Sequence, residues 1–413
     1  MNSDEILQKL DDFLILGPDE TISDENMFNY MAIRQGVMIH IKENQDVAFK
    51  QYIDKVYSDF HINELLVSRK FFLDFMMDEY ISFRSNKKTC DILSDVKAID
   101  VEEMHVLLPI YFVQIINDNI NIENIPFIKY QSIDKYLKTI GMSVPKDIDD
   151  IKKDKTFGHI PFVDIVIKAR EKDYATEQAK LKLEEIVHVL NFILYSHIRG
   201  IETISATTDY GTIDRQFIFT KDTSSMSTKV HPSAVKRITI DDIEEYLNSD
   251  GKVYKELINI LNKKEKNEIE TRIVNAVNWA GMAVSEKNNS VAFTQAIFAI
   301  ESLLQQQIKG EIFNKSIVAS ISEDIAFLLG KNFDERKKYE KDFKELYSVR
   351  SSIAHGKSSQ INPYQVLSAI AMAKLLIQEL ILNPALKGAV TMQKITNYIT
   401  KQKYTVINDK ETE

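Results

Sequence analysis

The chain has 413 residues, of which 44% are hydrophobic and 27% charged, a balance typical of a folded globular protein. Only 12 Gly and 8 Pro argue against long disordered tracts, and the single cysteine, Cys90, excludes an intrachain disulfide and a multi-thiolate zinc site. The N-terminus has no basic stretch followed by an apolar run, and no apolar run approaches the roughly 20 residues that span a bilayer. We therefore expect a cytoplasmic protein without a membrane segment.

The net charge of −9 is unevenly distributed along the chain. Residues 251–413 hold 23 Lys and Arg against 18 Asp and Glu, a balance of +5, whereas residues 1–250 have a balance of −14. Opposite signs in the two halves favour a part that faces nucleic acid joined to a part with another role. Ordinary surface charge without a partner is an equal alternative. The length itself favours two domains.

The N-terminal part begins with mixed amphipathic segments. Among the first hundred residues, the segments 26–41 and 64–83 predict helices. From Val101 onward, β-branched and aromatic stretches are separated by Asn, Asp and Pro, as in HVLLPIYFVQII, INIENIPFI and HIPFVDIVIKA. This pattern predicts a series of short strands.

An amphipathic helix over 175–198 and a strand over 216–220 follow the predicted strands. Together these patterns predict an α+β N-terminal domain over residues 1–245, with a sensing or restraining role. Its first hundred residues are expected to be helical, and the sheet with its helix is expected over about 101–240.

The remaining residues, 246–413, read as an all-α domain, so the whole chain is expected to be mostly α. Gly310, Gly330 and Gly356 each follow a periodic segment, where a helix C-terminus favours positive φ. The predicted helices cover 241–247, 254–284, 290–309, 316–329, 334–354, 363–382 and 387–401.

The segment RSSIAH, from Arg350 to His355, closes one predicted helix and is followed by glycine. Two upstream segments, RIVNAVNWAGMA and FTQAIFAIESLL, precede LYSVRSSIAHG in order. Over about residues 254–384 the chain resembles the Apea-like HEPN family, whose hallmark is Arg, four to six residues, then His. Arg34 and His40, in RQGVMIH, have a similar spacing without those surroundings, and we interpret that pair as structural.

The resemblance implies a helical bundle of HEPN type and a ribonuclease site without metal or cofactor. Cleavage of RNA without a metal needs a proton acceptor, a proton donor and a cation against the phosphate. By resemblance His355 is the acid/base and Arg350 the phosphate clamp, because imidazole titrates near neutrality and guanidinium keeps its charge. Two protomers are expected to face each other, with products ending in a cyclic 2′,3′-phosphate and with DNA resistant.

Four further residues are candidates for supporting roles. Glu301 falls on the apolar face of its helix, where it pairs with Arg350 or else reaches solvent at the edge of that face. Tyr347 shares a helix face with Arg350 and stacks on a base or packs in the core. Ser351 follows Arg350 within the motif, and Lys357, just past it, meets a phosphate or only water.

The resemblance therefore implies a metal-independent endoribonuclease, in a toxin or anti-phage defence role, that works as a homodimer or larger homo-oligomer on RNA. A phage-derived or protein trigger is the expected activator. The alternative is a non-catalytic HEPN-fold module that dimerises or binds RNA or protein. The motif also fits such a structural role. Arg350, near a helix C-terminus, can satisfy terminal carbonyls, and His355 before Gly356 is an ordinary helix ending.

Overall fold

A computed structural model describes most of the chain and is mostly helical, as predicted, with 13 α-helices among the described residues. The described ranges are 3–17, 30–34, 37–60, 65–85, 91–122, 124–144, 160–194, 214–219, 224–229, 238–239, 252–305, 317–356 and 361–404.

The chain divides into two compact units, each made of two stretches of sequence. One comprises Met1–Leu108 and Asp164–Lys182, and the other comprises Pro109–Val163 and Leu183–Glu413. The domain boundary predicted near residue 245 lies outside the described residues and stays a prediction.

The first unit combines helices with a three-stranded antiparallel sheet of order β1-β3-β2. Its core is built from large apolar side chains such as Phe72, Met76 and Tyr80. Its elements are α1 (Ser3–Leu10), β1 (Leu14–Gly17), β2 (Tyr30–Arg34), β3 (Val37–Ile41), α2 (Asp46–Asp59), α3 (Arg69–Arg84), α4 (Ile92–Ala98) and β4 (Glu102–Pro109).

One helix predicted in this unit is wrong, and one is confirmed. Within the predicted helix 26–41, the described residues form β2 and β3 instead. Each is only five residues long, and pairing across the sheet satisfies the backbone groups that a helix would satisfy locally. The helix predicted over 64–83 is α3, which Ser68 caps by accepting a hydrogen bond from the Phe71 N–H.

The strands predicted after Val101 are confirmed. They are β4, β5 (Val113–Gln114), β6 (Asn119–Ile122), β7 (Ile125–Ile128) and β8 (Phe162–Ala169). In the second unit, β6 and β7 form an antiparallel hairpin, and Asn124 in its turn has a positive φ of 71°. The first residues of β8, Phe162 and Val163, pair with β7.

The next elements also follow the sequence pattern. After α5 (Ile133–Thr139) and β8, the predicted long helix is α6 (Lys172–Leu194), and the strand predicted over 216–220 is β9 (Asp214–Phe219). β9 pairs antiparallel with β10 (Ser224–Lys229), and β11 (Ile238–Thr239) pairs parallel with β5.

Helices make up the rest of the second unit as the structure describes it. They are α7 (Lys252–Asn262), α8 (Glu268–Ser285), α9 (Asn289–Leu304), α10 (Ile317–Leu329), α11 (Phe333–Ala354), α12 (Pro363–Leu382) and α13 (Met392–Tyr404). The helix predicted over 241–247 lies outside the described residues, as does Gly310.

Three predicted helix boundaries in this region are wrong. The helix predicted over 290–309 ends at Leu304, where Gln305 is an extended C-cap residue. The helix predicted over 254–284 is interrupted after Asn262, because Asn267 starts a new helix with a capping box that Glu270 completes. The last helix begins at Met392 rather than 387, because a turn at 384–388, with Gly388 at φ 71°, precedes it.

The bundle packs through two main helix pairs and one central helix. α8 packs on α9 and α10 on α11, and α12 packs mainly against α9 and α8. Phe293, Ile297 and Ile300 of α9 are fully buried. α9 is therefore the core helix that faces the predicted motif.

Two glycines allow close backbone approach within this unit. A Cβ on Gly281 would lie 2.1 Å from the His188 carbonyl oxygen of α6, so only glycine fits there. A Cβ on Gly330 would lie 2.7 Å from the Arg336 backbone nitrogen. The positive φ predicted for Gly330 is wrong, whereas Gly356 has φ 69° as predicted.

Among the described residues, α12 is the one helix long and apolar enough to cross a membrane, and half of its most apolar window is buried inside the structure. A core helix of a soluble protein has the same properties. The predicted absence of a membrane segment therefore stays a prediction.

Candidate active site

The predicted motif lies in the last turns of α11. Asn332 caps the start of this helix, and His355 is its C-cap residue, whose N–H donates to the Ser351 carbonyl. The positive φ of Gly356 turns the chain away after one more residue. The His355 side chain is exposed at this helix end, whereas Arg350 is partly buried.

Arg350 lies between a carboxylate and two aromatic rings. Its Nη2 is 3.7 Å from Oε2 of Glu301, and its Cζ is 5.4 Å from the centre of the Phe298 ring and 5.6 Å from that of Tyr347. Both rings present π-electron density to the guanidinium. The plane of the guanidinium is therefore held by α9 and by its own helix.

Glu301 confirms the prediction of a carboxylate on the apolar face of its helix. It is only 8% exposed, which excludes the solvent-facing alternative. A buried carboxylate needs a counter-charge, and Arg350 supplies it. The 3.7 Å separation is longer than a hydrogen bond, so the pair orients the guanidinium without occupying its N–H groups fully.

Tyr347 packs inside this cluster rather than presenting its ring to solvent. Its ring centre is 5.8 Å from that of Phe343, and the residue is partly buried. Burial raises the pKa of the Tyr347 hydroxyl, and the charge of Glu301 raises it further, although Arg350 acts in the opposite direction. Of the two roles predicted for Tyr347, base stacking and core packing, the structure shows core packing.

The Arg350 Nε is buried and has no hydrogen-bond partner among the described residues. An unsatisfied donor of this kind is costly unless a ligand or water completes it. The Nε itself is closed to a ligand, but 27% of the Arg350 side chain stays exposed, and guanidinium binds phosphate oxygens through its N–H groups.

The structure brings together only part of the predicted site. Arg350, Glu301 and Tyr347 form one cluster, but no described hydrogen bond or ion pair joins His355 to it. Ser351 is partly buried and contributes its carbonyl to the helix end. Lys357 lies outside the described residues.

Phe298 packs on Arg350, and Trp279 packs on Phe298 behind it. Phe298, one turn before Glu301 on α9, was not singled out from the sequence, although its position three residues before Glu301 is the signal that places it on the same face. The partly buried Trp279 of α8 meets Phe298 edge to face, with ring centres 5.3 Å apart.

Two buried polar sites away from the motif were also not predicted. In the first unit, His105 Nδ1 of β4 is 2.6 Å from Oδ2 of the buried Asp164 of β8. The two residues are 59 positions apart in the sequence, and no motif links them. In the second unit, burial lowers the pKa of the Lys374 ammonium to about 8. Its Nζ lies 5.6 Å and 5.3 Å from the ring centres of Phe192 and Tyr254.

No group of three or more His, Cys, Asp or Glu side chains in the described part of the chain is arranged to hold a metal ion. No protein-family model, curated protein or solved structure matches the chain. The likeness to the Apea-like HEPN family thus rests on the three sequence segments that carry it.

Proposed function

We propose that this protein is a metal-independent endoribonuclease of HEPN type, with a cytoplasmic toxin or anti-phage defence role. The observation that carries the proposal is the Arg350 guanidinium, which Glu301 orients and which stays 27% exposed. It precedes the exposed His355 by five residues on the same helix. This arrangement supports an anion site on the same helix end as an imidazole, a side chain that can accept or donate a proton.

In the proposed reaction an RNA 2′-oxygen attacks the adjacent phosphorus, and the bond from phosphorus to the 5′-oxygen breaks. One imidazole accepts the 2′-hydroxyl proton, and a proton donor protonates the leaving 5′-oxygen. Arg350 stabilises the negative charge that develops on the phosphate oxygens. The products carry a cyclic 2′,3′-phosphate and a free 5′-hydroxyl.

A second copy of the chain completes the proposed site. The reaction needs both a proton acceptor and a donor, and one helix end presents a single His355. A homodimer that places two α11 ends against one RNA phosphate supplies both, and RNA is the proposed substrate because the nucleophile is the 2′-hydroxyl.

The test is cleavage of a labelled single-stranded RNA by the full-length protein with chelator present. We expect cyclic phosphate ends, no cleavage of the matching DNA, and losses of at least about 100-fold for Arg350→Ala and His355→Ala. Lys341→Ala, which removes an exposed cation from the same helix, is the matched control and should retain activity. Folded Arg350 and His355 variants that cut as well as the parent would contradict the proposal.

A non-catalytic binding module is the second candidate. One observation favours it. Arg350 is already paired with Glu301, and no described hydrogen bond or ion pair joins the exposed His355 side chain to either residue. Such a module would bind RNA without cutting it, or dimerise with no effect on RNA. Filter binding of the intact RNA, measured beside the cleavage assay, distinguishes the two.

A further inference from the structure

A groove of about 770 Å³ opens between α11 and α12, on the face of α11 next to the one that carries Arg350. α11 packs mainly on α10, and α12 packs mainly on α9 and α8, so these two neighbours in sequence do not close on each other. Apolar side chains from both helices line the gap, namely Leu346, Val349, Ala371, Met372 and Leu375.

The exposed stripe of α12 that borders this groove is itself apolar. Tyr364 is 74% exposed, Leu367 37%, Leu375 41% and Leu382 43%. Their spacing of three, eight and seven residues places them on one side of the helix. An apolar stripe of this length on a helix surface marks a site where another protein surface packs.

The charge of the groove selects among partners. Of the described residues that line it, Asp342 and Glu345 are charged and none is basic. Both carboxylates are on the α11 wall. Glu345 forms an exposed ion pair of 3.8 Å with Lys341 of the same helix, a weak contact that a partner's cation would replace. The two carboxylates repel the phosphates of RNA and attract Lys or Arg placed beside an apolar face.

The groove also has the dimensions of a short helix. Its α11 wall runs from Tyr339 to Val349 and its α12 wall from Tyr364 to Leu375, which at about 1.5 Å per residue are each roughly 15 Å long. A helix of about 10 residues spans that length and inserts apolar side chains at spacings of three and four.

We propose that the α11/α12 groove binds a basic amphipathic helix of a protein partner. Apolar side chains of that helix contact Leu346, Val349, Met372 and Leu375, and its Lys or Arg side chains pair with Asp342 and Glu345. The proposal does not depend on the nuclease activity of the chain.

The test measures fluorescence anisotropy of two labelled peptides of about 14 residues with the full-length protein. One carries leucines at positions 1, 4, 8 and 11 flanked by lysines, and the other has glutamate in place of every lysine. We expect the lysine peptide to bind at least about tenfold more tightly, with an affinity that falls as salt rises.

Substitutions locate the binding site. Leu375→Asp, the exposed Tyr364→Glu, and the pair Asp342→Lys with Glu345→Lys should each weaken lysine-peptide binding by about tenfold or more. Val291→Asp, at an exposed apolar side chain of α9, and Glu340→Lys of α11 are the matched controls outside the groove lining, and should change binding less than about twofold. Circular dichroism melts verify that each variant is folded.

Three results would overturn the proposal. The first is equal binding of the two peptides, or equal losses in groove and control variants. The second is a monomer–dimer equilibrium, seen by sedimentation, that Leu375→Asp abolishes, because the groove would then bind a second copy of this chain. The third is association with single-stranded RNA or anionic vesicles that the same variant abolishes.

Discussion

Arg350 illustrates how one residue acquires its properties from three neighbours on two helices. The guanidinium is held by the Glu301 carboxylate and by the faces of Phe298 and Tyr347. Any of these contacts alone is weak at a surface, but Glu301 is buried, so its charge is poorly screened. The ion pair is therefore expected to stabilise the fold, in addition to orienting Arg350 for the proposed phosphate site.

Removal of the Glu301 carboxylate should destabilise the bundle. Glu301→Leu leaves the partly buried Arg350 charge without compensation and should lower the free energy of unfolding by about 2–4 kcal/mol. Adding Arg350→Leu should recover part of that loss, because the uncompensated charge is gone. Urea unfolding of the two single variants and the double variant measures this coupling, and strictly additive effects would contradict it.

Lys374 should give the chain a distinctive pH dependence. Its pKa is about 8 in the folded chain against an ordinary 10.5, because burial disfavours the ammonium. Between those values the unfolded chain binds more protons, so the contribution of Lys374 to stability rises with pH from about 8 to 10.5. Below pH 8 the buried charge costs stability in full.

Replacing Lys374 with an apolar side chain of similar length removes that cost. We expect Lys374→Met to raise the free energy of unfolding by about 1–3 kcal/mol at pH 7, with a smaller gain at pH 10. Urea unfolding at both pH values checks it, with the exposed Lys344→Met as control. A gain that is equal at both pH values would contradict the assigned cause.

At the scale of elements, four helices of the bundle, α8, α9, α11 and α12, begin directly after an asparagine that caps them. Asn267, Asn288, Asn332 and Asn362 each accept hydrogen bonds from backbone N–H groups of the helix that follows. These local signals account for the good agreement of α9, α11 and α12 with their predicted starts. The overlooked capping box at Asn267 accounts for the break between α7 and α8.

Gly281 sets how closely α6 and α8 approach. Gly281→Ala places a methyl group 2.1 Å from a backbone oxygen that cannot rotate away, so one helix must move. We expect a loss of about 3 kcal/mol or more in the free energy of unfolding. Gly356→Ala, which has open space but a positive φ, should lose only about 1 kcal/mol. If urea unfolding gives similar losses for Gly281→Ala and Gly356→Ala, then α6 and α8 can move apart at little cost, which would contradict this prediction.

At the scale of the whole molecule, the second unit includes residues that precede its C-terminal helices by many positions in the sequence. Its α6 residues include the fully buried Phe192 and Ile193, and the carbonyl of Ile193 accepts a hydrogen bond from Lys374. A bundle that starts at residue 246 lacks this packing.

Truncation tests whether α6 belongs to the bundle. A fragment of residues 183–413 should melt at a higher temperature than one of residues 246–413, because the shorter fragment loses about 5 kcal/mol of apolar burial against α8 and α12. Thermal circular dichroism and dye binding to exposed apolar surface measure the difference. Identical melting curves would favour the boundary predicted near residue 245.

The helix-rich architecture, the bounds of α10, α11 and α12 and the position of the motif at a helix end could be predicted from the sequence alone, because periodicity, caps and glycines act within one or two turns. The structure decided the pairing of β2 with β3, the burial of Glu301 beside Phe298, the His105–Asp164 contact and the groove between α11 and α12. These depend on segments that meet only when the chain folds, and no local pattern encodes the distance between them.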